Sequence, residues 1–141
     1  MKVNSMNAAA VVGLIGYSYG SVVAGNAIGC NEGNMCTDGV DNLVAVGSPG
    51  MGFDSRNDLD ADTAWIFAAD DDVVPRLSWF TTNPSNWADT TEQNTKKMIL
   101  RPMGRGPAVH SDYFLSDEAR GSKGVLECIV RAAKGIGGTR C

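Results

Sequence analysis

Three kinds of side chain in this sequence can do chemistry together: Ser18, the carboxylates of Asp70-Asp71-Asp72, and His110. A serine hydroxyl is a poor nucleophile at neutral pH and needs a base to take its proton. Histidine is the usual base, and a carboxylate then fixes its tautomer and stabilises its cation. The chain holds one histidine, so the base has no competitor. Such a set attacks an acyl carbon and passes through a covalent serine intermediate. The plain alternative is a structural or merely exposed histidine and a solvated serine in a glycine turn.

The elements that must position these groups are legible around Ser18. The apolar run Ala8-Ala9-Ala10-Val11-Val12-Gly13-Leu14-Ile15 precedes Gly16-Tyr17-Ser18-Tyr19-Gly20, and Ser21 to Ile28 reads as a helix. Strand, sharp turn on serine, then helix is the layout of a nucleophile elbow. The flanking positions there must be small, which glycine at 16 and 20 satisfies. Asn42 to Gly47 and Thr63 to Ala69 are continuous apolar runs, read as buried strands. Met51 to Asp62 reads as loop, and Lys97 to Pro102 as a last strand. Ser116 or Asp117 is a cap signal for a final helix with Val125, Leu126, Cys128, Ile129 and Val130 as its apolar positions, ended by Gly135-Ile136-Gly137-Gly138. Continuous apolar strands predict a parallel sheet of about four strands with helices on both faces. Ser18 and the aspartate cluster both fall at carboxyl ends of strands, where such sheets keep their active groups.

These blocks carry a resemblance. Gly16-Tyr17-Ser18-Tyr19-Gly20-Ser21, Val44-Ala45-Val46-Gly47-Ser48-Pro49-Gly50, Ala68 to Pro75, and Val109-His110-Ser111-Asp112-Tyr113-Phe114 resemble the C-terminal half of an actinobacterial α/β hydrolase of unknown specific function. The chain order Ser18, Asp, His110 is that of the α/β-hydrolase triad. The resemblance implies a partial α/β-hydrolase fold and a serine esterase acting on a small-molecule ester or related acyl substrate, with no cofactor and no metal. It implies Ser18 as nucleophile, His110 as base, and the Tyr19 amide as one oxyanion donor. The family pattern Asp-x-Val-Val-Pro selects Asp71 as the acid; Asp70 and Asp72 are the alternatives, read as solvated loop charge. A cutinase-like esterase is the rival, since cutinases carry a similar elbow and disulfides. Against it, no cysteine stands just after the acid, and Gly47-Ser48-Pro49-Gly50 fits the first family better.

The resemblance also implies strands in front of the elbow and a loop supplying a second oxyanion donor. The sequence starts about a strand's length before Ser18, which predicts one truncated domain over 1–141. The apolar run Val11 to Ile15 then becomes a sheet edge, open to self-association. A non-catalytic remnant that binds a partner through that edge is therefore the second function class.

Bulk properties add limits. The net charge is −4, which gives no support for nucleic-acid binding. There is no apolar run near twenty residues, hence no predicted membrane span. Met1 to Asn7 followed by an apolar run looks like a leader, but that run continues into the elbow. The sequence as written thus predicts a cytoplasmic protein, an exported full-length form being the alternative. Cys30, Cys36, Cys128 and Cys141 form no metal pattern. They read as free thiols, with a Cys30–Cys36 disulfide as the alternative in an exported protein. Trp79, Phe80 and Trp87 read as loop packing or an acyl pocket, and Arg101 and Arg105 as solvated charge.

Overall fold

The computed structural model describes residues 10–30, 39–53, 55–77, 84, 95–100, 106–114 and 124–136. Four parallel strands form one sheet in sequential order: β1 (Gly13–Tyr17), β2 (Val40–Val46), β3 (Ala61–Ala69) and β4 (Thr95–Leu100). Among the described residues three α-helices accompany them: α1 (Tyr19–Ile28), the four-residue α2 (Val74–Leu77) and α3 (Val125–Ala133). Gly106–Phe114 is a 3-10 helical segment, and Arg56–Asp58 is a shorter one.

The continuous apolar runs of β2 and β3 exist because both sheet faces are covered. Leu43, Ala45, Ala64 and Ile66 pack on one face with Ala24 and Ile28 of α1, and with Met51, Phe53 and Leu59. Val44, Val46, Trp65, Phe67 and Ala69 pack on the other with Val109, Tyr113, Ile129 and Ala132. Neighbouring residues along a strand point to opposite faces, so each strand feeds both clusters in turn. The stretch read as a glycine- and aspartate-rich loop is thus also a core element. Met51 lies against Gly25 of α1, and Phe53 against Gly29, at positions where any Cβ would collide.

The final helix starts later than its cap signal suggested. Gly124, at φ 112, is its N-cap; Ser116 and Asp117 lie outside the described residues. Of its apolar positions, Ile129 is buried and Val125 and Cys128 are half-buried, but Leu126 and Val130 are exposed. The helical period explains this: 125, 128, 129 and 132 share the inner face, while 126 and 130 turn away from it. Gly135, at φ +70, ends the helix. Its amide donates to Ala132 O, and that of Ile136 to Arg131 O, capping carbonyls left over by the last turn.

β1 is an edge of the sheet, and Val11, Val12 and Ile15 beside it are exposed. Cys30 and Cys128 are each disulfide-bonded, which corrects the free-thiol reading. Pairing needs Cα atoms within about 7 Å of each other, a distance that only the tertiary fold sets. No described helix is long and apolar enough to cross a membrane. Trp79, Phe80, Trp87, Arg101 and Arg105 fall outside the described residues.

Candidate active site

Ser18 stands on the turn between β1 and α1, with φ 51 and ψ −127. It is the one non-glycine residue at positive φ among those described. Such backbone costs about 1–3 kcal/mol and persists only where surroundings over-determine it. Here they do. The Ser18 amide donates to Val46 O at the end of β2, and the Ser21 amide donates to Ser18 O. The buried hydroxyls of Ser21 and Ser48 lie 2.6 Å apart; Ser21 Oγ is also 2.6 Å from Ser18 O, and the Gly50 amide donates to Ser48 Oγ. One donor sequence satisfies all of these contacts: Gly50 N–H to Ser48, Ser48 to Ser21, Ser21 to the Ser18 carbonyl. Ser48 is therefore a support behind the elbow.

The two flanking glycines are not equivalent. A Cβ at Gly16 would lie 2.6 Å from Ser21 Cα, so strand and helix touch there and only glycine fits. At Gly20 nothing lies within 4 Å of the added atom, so the demand for a small residue holds on the strand side alone.

The 3-10 segment Gly106–Phe114 carries His110 back over the carboxyl ends of the strands. His110 Nε2 is 2.7 Å from Ser18 Oγ, and Nδ1 is 2.8 Å from Asp72 Oδ2. The carboxylate accepts, so Nδ1 bears the proton and Nε2 is left as the acceptor facing the serine hydroxyl. The carboxylate on the imidazole is that of Asp72, one residue after the Asp71 that the family pattern selected. The reason is the path of the chain after β3. Asp70 is exposed, and its amide continues the ladder to Leu100 O. A turn then closes from the Asp72 amide to Ala69 O and drops the Asp72 side chain inward, where it is 0% exposed. The reading of Asp72 as solvated loop charge is corrected with it.

Both oxygens of this carboxylate have partners among the described residues. Oδ1 accepts the Val74 amide at 3.0 Å, while Oδ2 accepts both His110 Nδ1 and the Tyr113 hydroxyl, the latter at 2.8 Å. The His110 side chain keeps 18% of its exposure, so the imidazole reaches solvent while the Asp72 carboxylate does not. Gly47, at φ +55, is the packing floor. A Cβ there would lie 3.0 Å from His110 Cε1 and from Tyr113 Cε2, and 3.2 Å from Asp72 Oδ2. From the other side Tyr17 holds the imidazole. Its ring stacks on His110 at 5.2 Å, and its hydroxyl donates to His110 O at 2.6 Å. Burial raises the Tyr17 pKa, against a lowering hydrogen bond with Ser111, and Asp72 and Asp112 raise it further. Phe114 meets Tyr17 edge-on at 5.1 Å.

Tyr19 opens α1, and its side chain is exposed. Among the described residues no group of three or more histidine, cysteine, aspartate or glutamate side chains is gathered for a metal. Gly47 and Tyr113 were within motif blocks but carried no role in the sequence reading. The available signal for Asp72 was its place two residues before the Val74 amide, the spacing of an aspartate that bonds its own backbone.

A parallel sheet covered on both faces, with a serine on a strained turn after one strand and a histidine and aspartate over neighbouring strand ends, defines the α/β-hydrolase class. The family model described as alpha/beta hydrolase matches residues 1–81, more than half of the chain, and the chain belongs to that family. The match takes in the elbow and Asp72; His110 lies beyond it. No curated protein and no solved structure matches.

Proposed function

We propose that this chain is a serine hydrolase of the esterase type, forming an acyl-enzyme on Ser18. The observation that carries the reading is the continuous line of hydrogen bonds from Ser18 Oγ through His110 to Asp72. As Oγ attacks the carbonyl carbon of an ester, its proton passes to His110 Nε2. The imidazolium is stabilised by Asp72, which stays ionised. The carbonyl oxygen becomes an oxyanion, for which the Tyr19 amide, first in α1 and next to the nucleophile, is the proposed donor. Collapse breaks the bond to the alcohol, which leaves with the proton from Nε2. Water then enters, gives a proton to the same nitrogen and attacks the acyl carbon. The acid is released and Ser18 takes its proton back.

The disulfide-bonded Cys30 and Cys128 fit an oxidising compartment better than the cytoplasm. A fluorophosphonate probe tests the reading. Labelling of the folded protein that disappears in Ser18→Ala and falls sharply in His110→Ala supports it. A folded protein that takes up no probe and cleaves no p-nitrophenyl ester would overturn it, leaving the non-catalytic reading.

A further inference from the structure

The Tyr113 hydroxyl meets Asp72 on the same oxygen as the imidazole. It lies 2.8 Å from Oδ2, the atom that also accepts His110 Nδ1, and it accepts the Ala69 amide at 2.9 Å. The ring is fully buried in the core beside Val109 and Phe67. The hydroxyl is therefore fixed at both ends. With the Ala69 N–H already filling its acceptor side, its own proton can point only at the carboxylate.

We propose that Tyr113 is a positioning residue for the Ser18–His110–Asp72 line, acting through Asp72. It draws part of the Oδ2 charge to itself and so sets how strongly the carboxylate holds the His110 Nδ1 proton. The inference rests on the serine-hydrolase reading for its consequence in catalysis, but its physical content does not need turnover.

Two contacts hold the carboxylate plane: Val74 N–H on Oδ1 and Tyr113 O–H on Oδ2. A hydrogen bond to an ionised acceptor is also shared charge. The more Oδ2 gives to Tyr113, the less it pulls on the Nδ1 proton of His110. Burial pushes the Tyr113 pKa up, so the hydroxyl stays a donor through the working range of an imidazole. The other groups around the pair are few. Tyr17 faces His110 from β1, Asp112 is buried on the same segment, and Ser18 meets Nε2. Asp70 and Asp71 adjoin Asp72 in its own loop, and Arg76 of α2 bonds the Asp70 carbonyl. Oδ2 itself is met by His110 Nδ1 and the Tyr113 hydroxyl, so a change at that hydroxyl reads out at this oxygen.

The single histidine makes the test direct, because its imidazole gives one set of NMR signals. In Tyr113→Phe the His110 Nδ1–H proton is expected to move downfield as Oδ2 returns its charge to the imidazole. The acid limb of kcat/KM is expected to move to higher pH, on the order of half a unit, a fraction of the one to three units that a full carboxylate supplies. Site-specific 3-fluorotyrosine at 113 keeps the hydroxyl but makes it a stronger donor, so both readouts should move the other way. It also covers the case in which Tyr113→Phe, with the Ala69 amide left unpaired, does not fold. A purely structural tyrosine changes the melting temperature and leaves both readouts where they are, and that result overturns the proposal. If the protein proves inactive towards esters, the Nδ1–H arm still decides. If that arm is flat in an active enzyme, Tyr113 loses its role and the hydrolase reading stands.

Discussion

In Asp72→Asn one carboxylate oxygen becomes an NH2 group while the shape is kept. The Val74 amide approaches one position, and His110 Nδ1 and the Tyr113 hydroxyl share the other. Either orientation leaves one fixed donor, the Val74 N–H or the Tyr113 hydroxyl, facing an NH2 group; the orientation that disarms the base is the one with the NH2 towards His110. Imidazole Nδ1 must then accept, and its proton moves to Nε2, where it points at Ser18 Oγ. A base that already holds its proton cannot take another. The equivalent acid-to-amide change in serine proteases costs about 10⁴-fold in kcat, about 5.5 kcal/mol of transition-state stabilisation. The same order is expected here. KM should change little, because the acid sits behind the imidazole and away from any bound acyl group. Asp71→Asn, one residue earlier, should stay within a few-fold of the parent. The assay is p-nitrophenyl ester hydrolysis with burst titration of active sites, on variants shown to be folded by circular dichroism. If Asp71→Asn loses activity and Asp72→Asn keeps it, the hydrogen-bond argument is wrong and the family pattern was the better guide.

Gly47→Ala forces an L side chain into φ +55 and places a methyl 3.0 Å from His110 and Tyr113. The backbone term is about 1–2 kcal/mol and overpacking adds about 1–3. A melt should show the sum, and a shifted imidazole should lose roughly tenfold to a hundredfold in kcat. Ser21→Ala removes the hydroxyl linking Ser48 to the Ser18 carbonyl, and chemical denaturation should show about 1–2 kcal/mol lost. Alkaline stability follows from Tyr113, whose pKa burial raises above its ordinary 10.0, against the lowering Ala69 amide and with Asp72 adding to the rise. The folded state keeps a proton that the unfolded chain gives up, so this stabilisation is complete below about pH 10 and is lost as the pH climbs above it. Melting temperatures measured from about pH 8 to 11 should fall at the upper end, and less so in Tyr113→Phe. Finally, alkylation without reduction should leave Cys30 and Cys128 unmodified, and reductant should lower stability by about 2–4 kcal/mol per bridge lost.

Local pattern carried much of this molecule. The apolar runs at 42–47 and 63–69 read as strands buried on both faces, and they correspond to β2 and β3, each of which starts two residues earlier. The serine between an apolar run and a small-residue helix could only be a tight turn, and Ser18 holds its strained φ there. A lone histidine leaves nothing to choose between, so His110 is the one candidate base, and its Nε2 lies 2.7 Å from Ser18 Oγ. These are short-range statements: hydrophobic period, glycine sterics and residue count are all properties of neighbouring positions.

What the tertiary structure decided is which atoms meet across long sequence separations. Three adjacent aspartates look alike in a string, but the turn from Ala69 to Asp72 exposes the first and buries the third. Tyr113 reads as one more aromatic until the 3-10 segment lays its hydroxyl against an oxygen 41 residues away. Gly47 reads as an ordinary strand end until His110, Tyr113 and Asp72 converge on its missing Cβ. Cys30 and Cys128 read as thiols until the fold sets their partners in reach. The elbow and its histidine were thus set by local sequence, because sterics and composition act between neighbours. The acid, its hydroxyl partner and the glycine floor depend on how β1, β2 and β3 line up their carboxyl ends, and that register is a property of the assembled sheet.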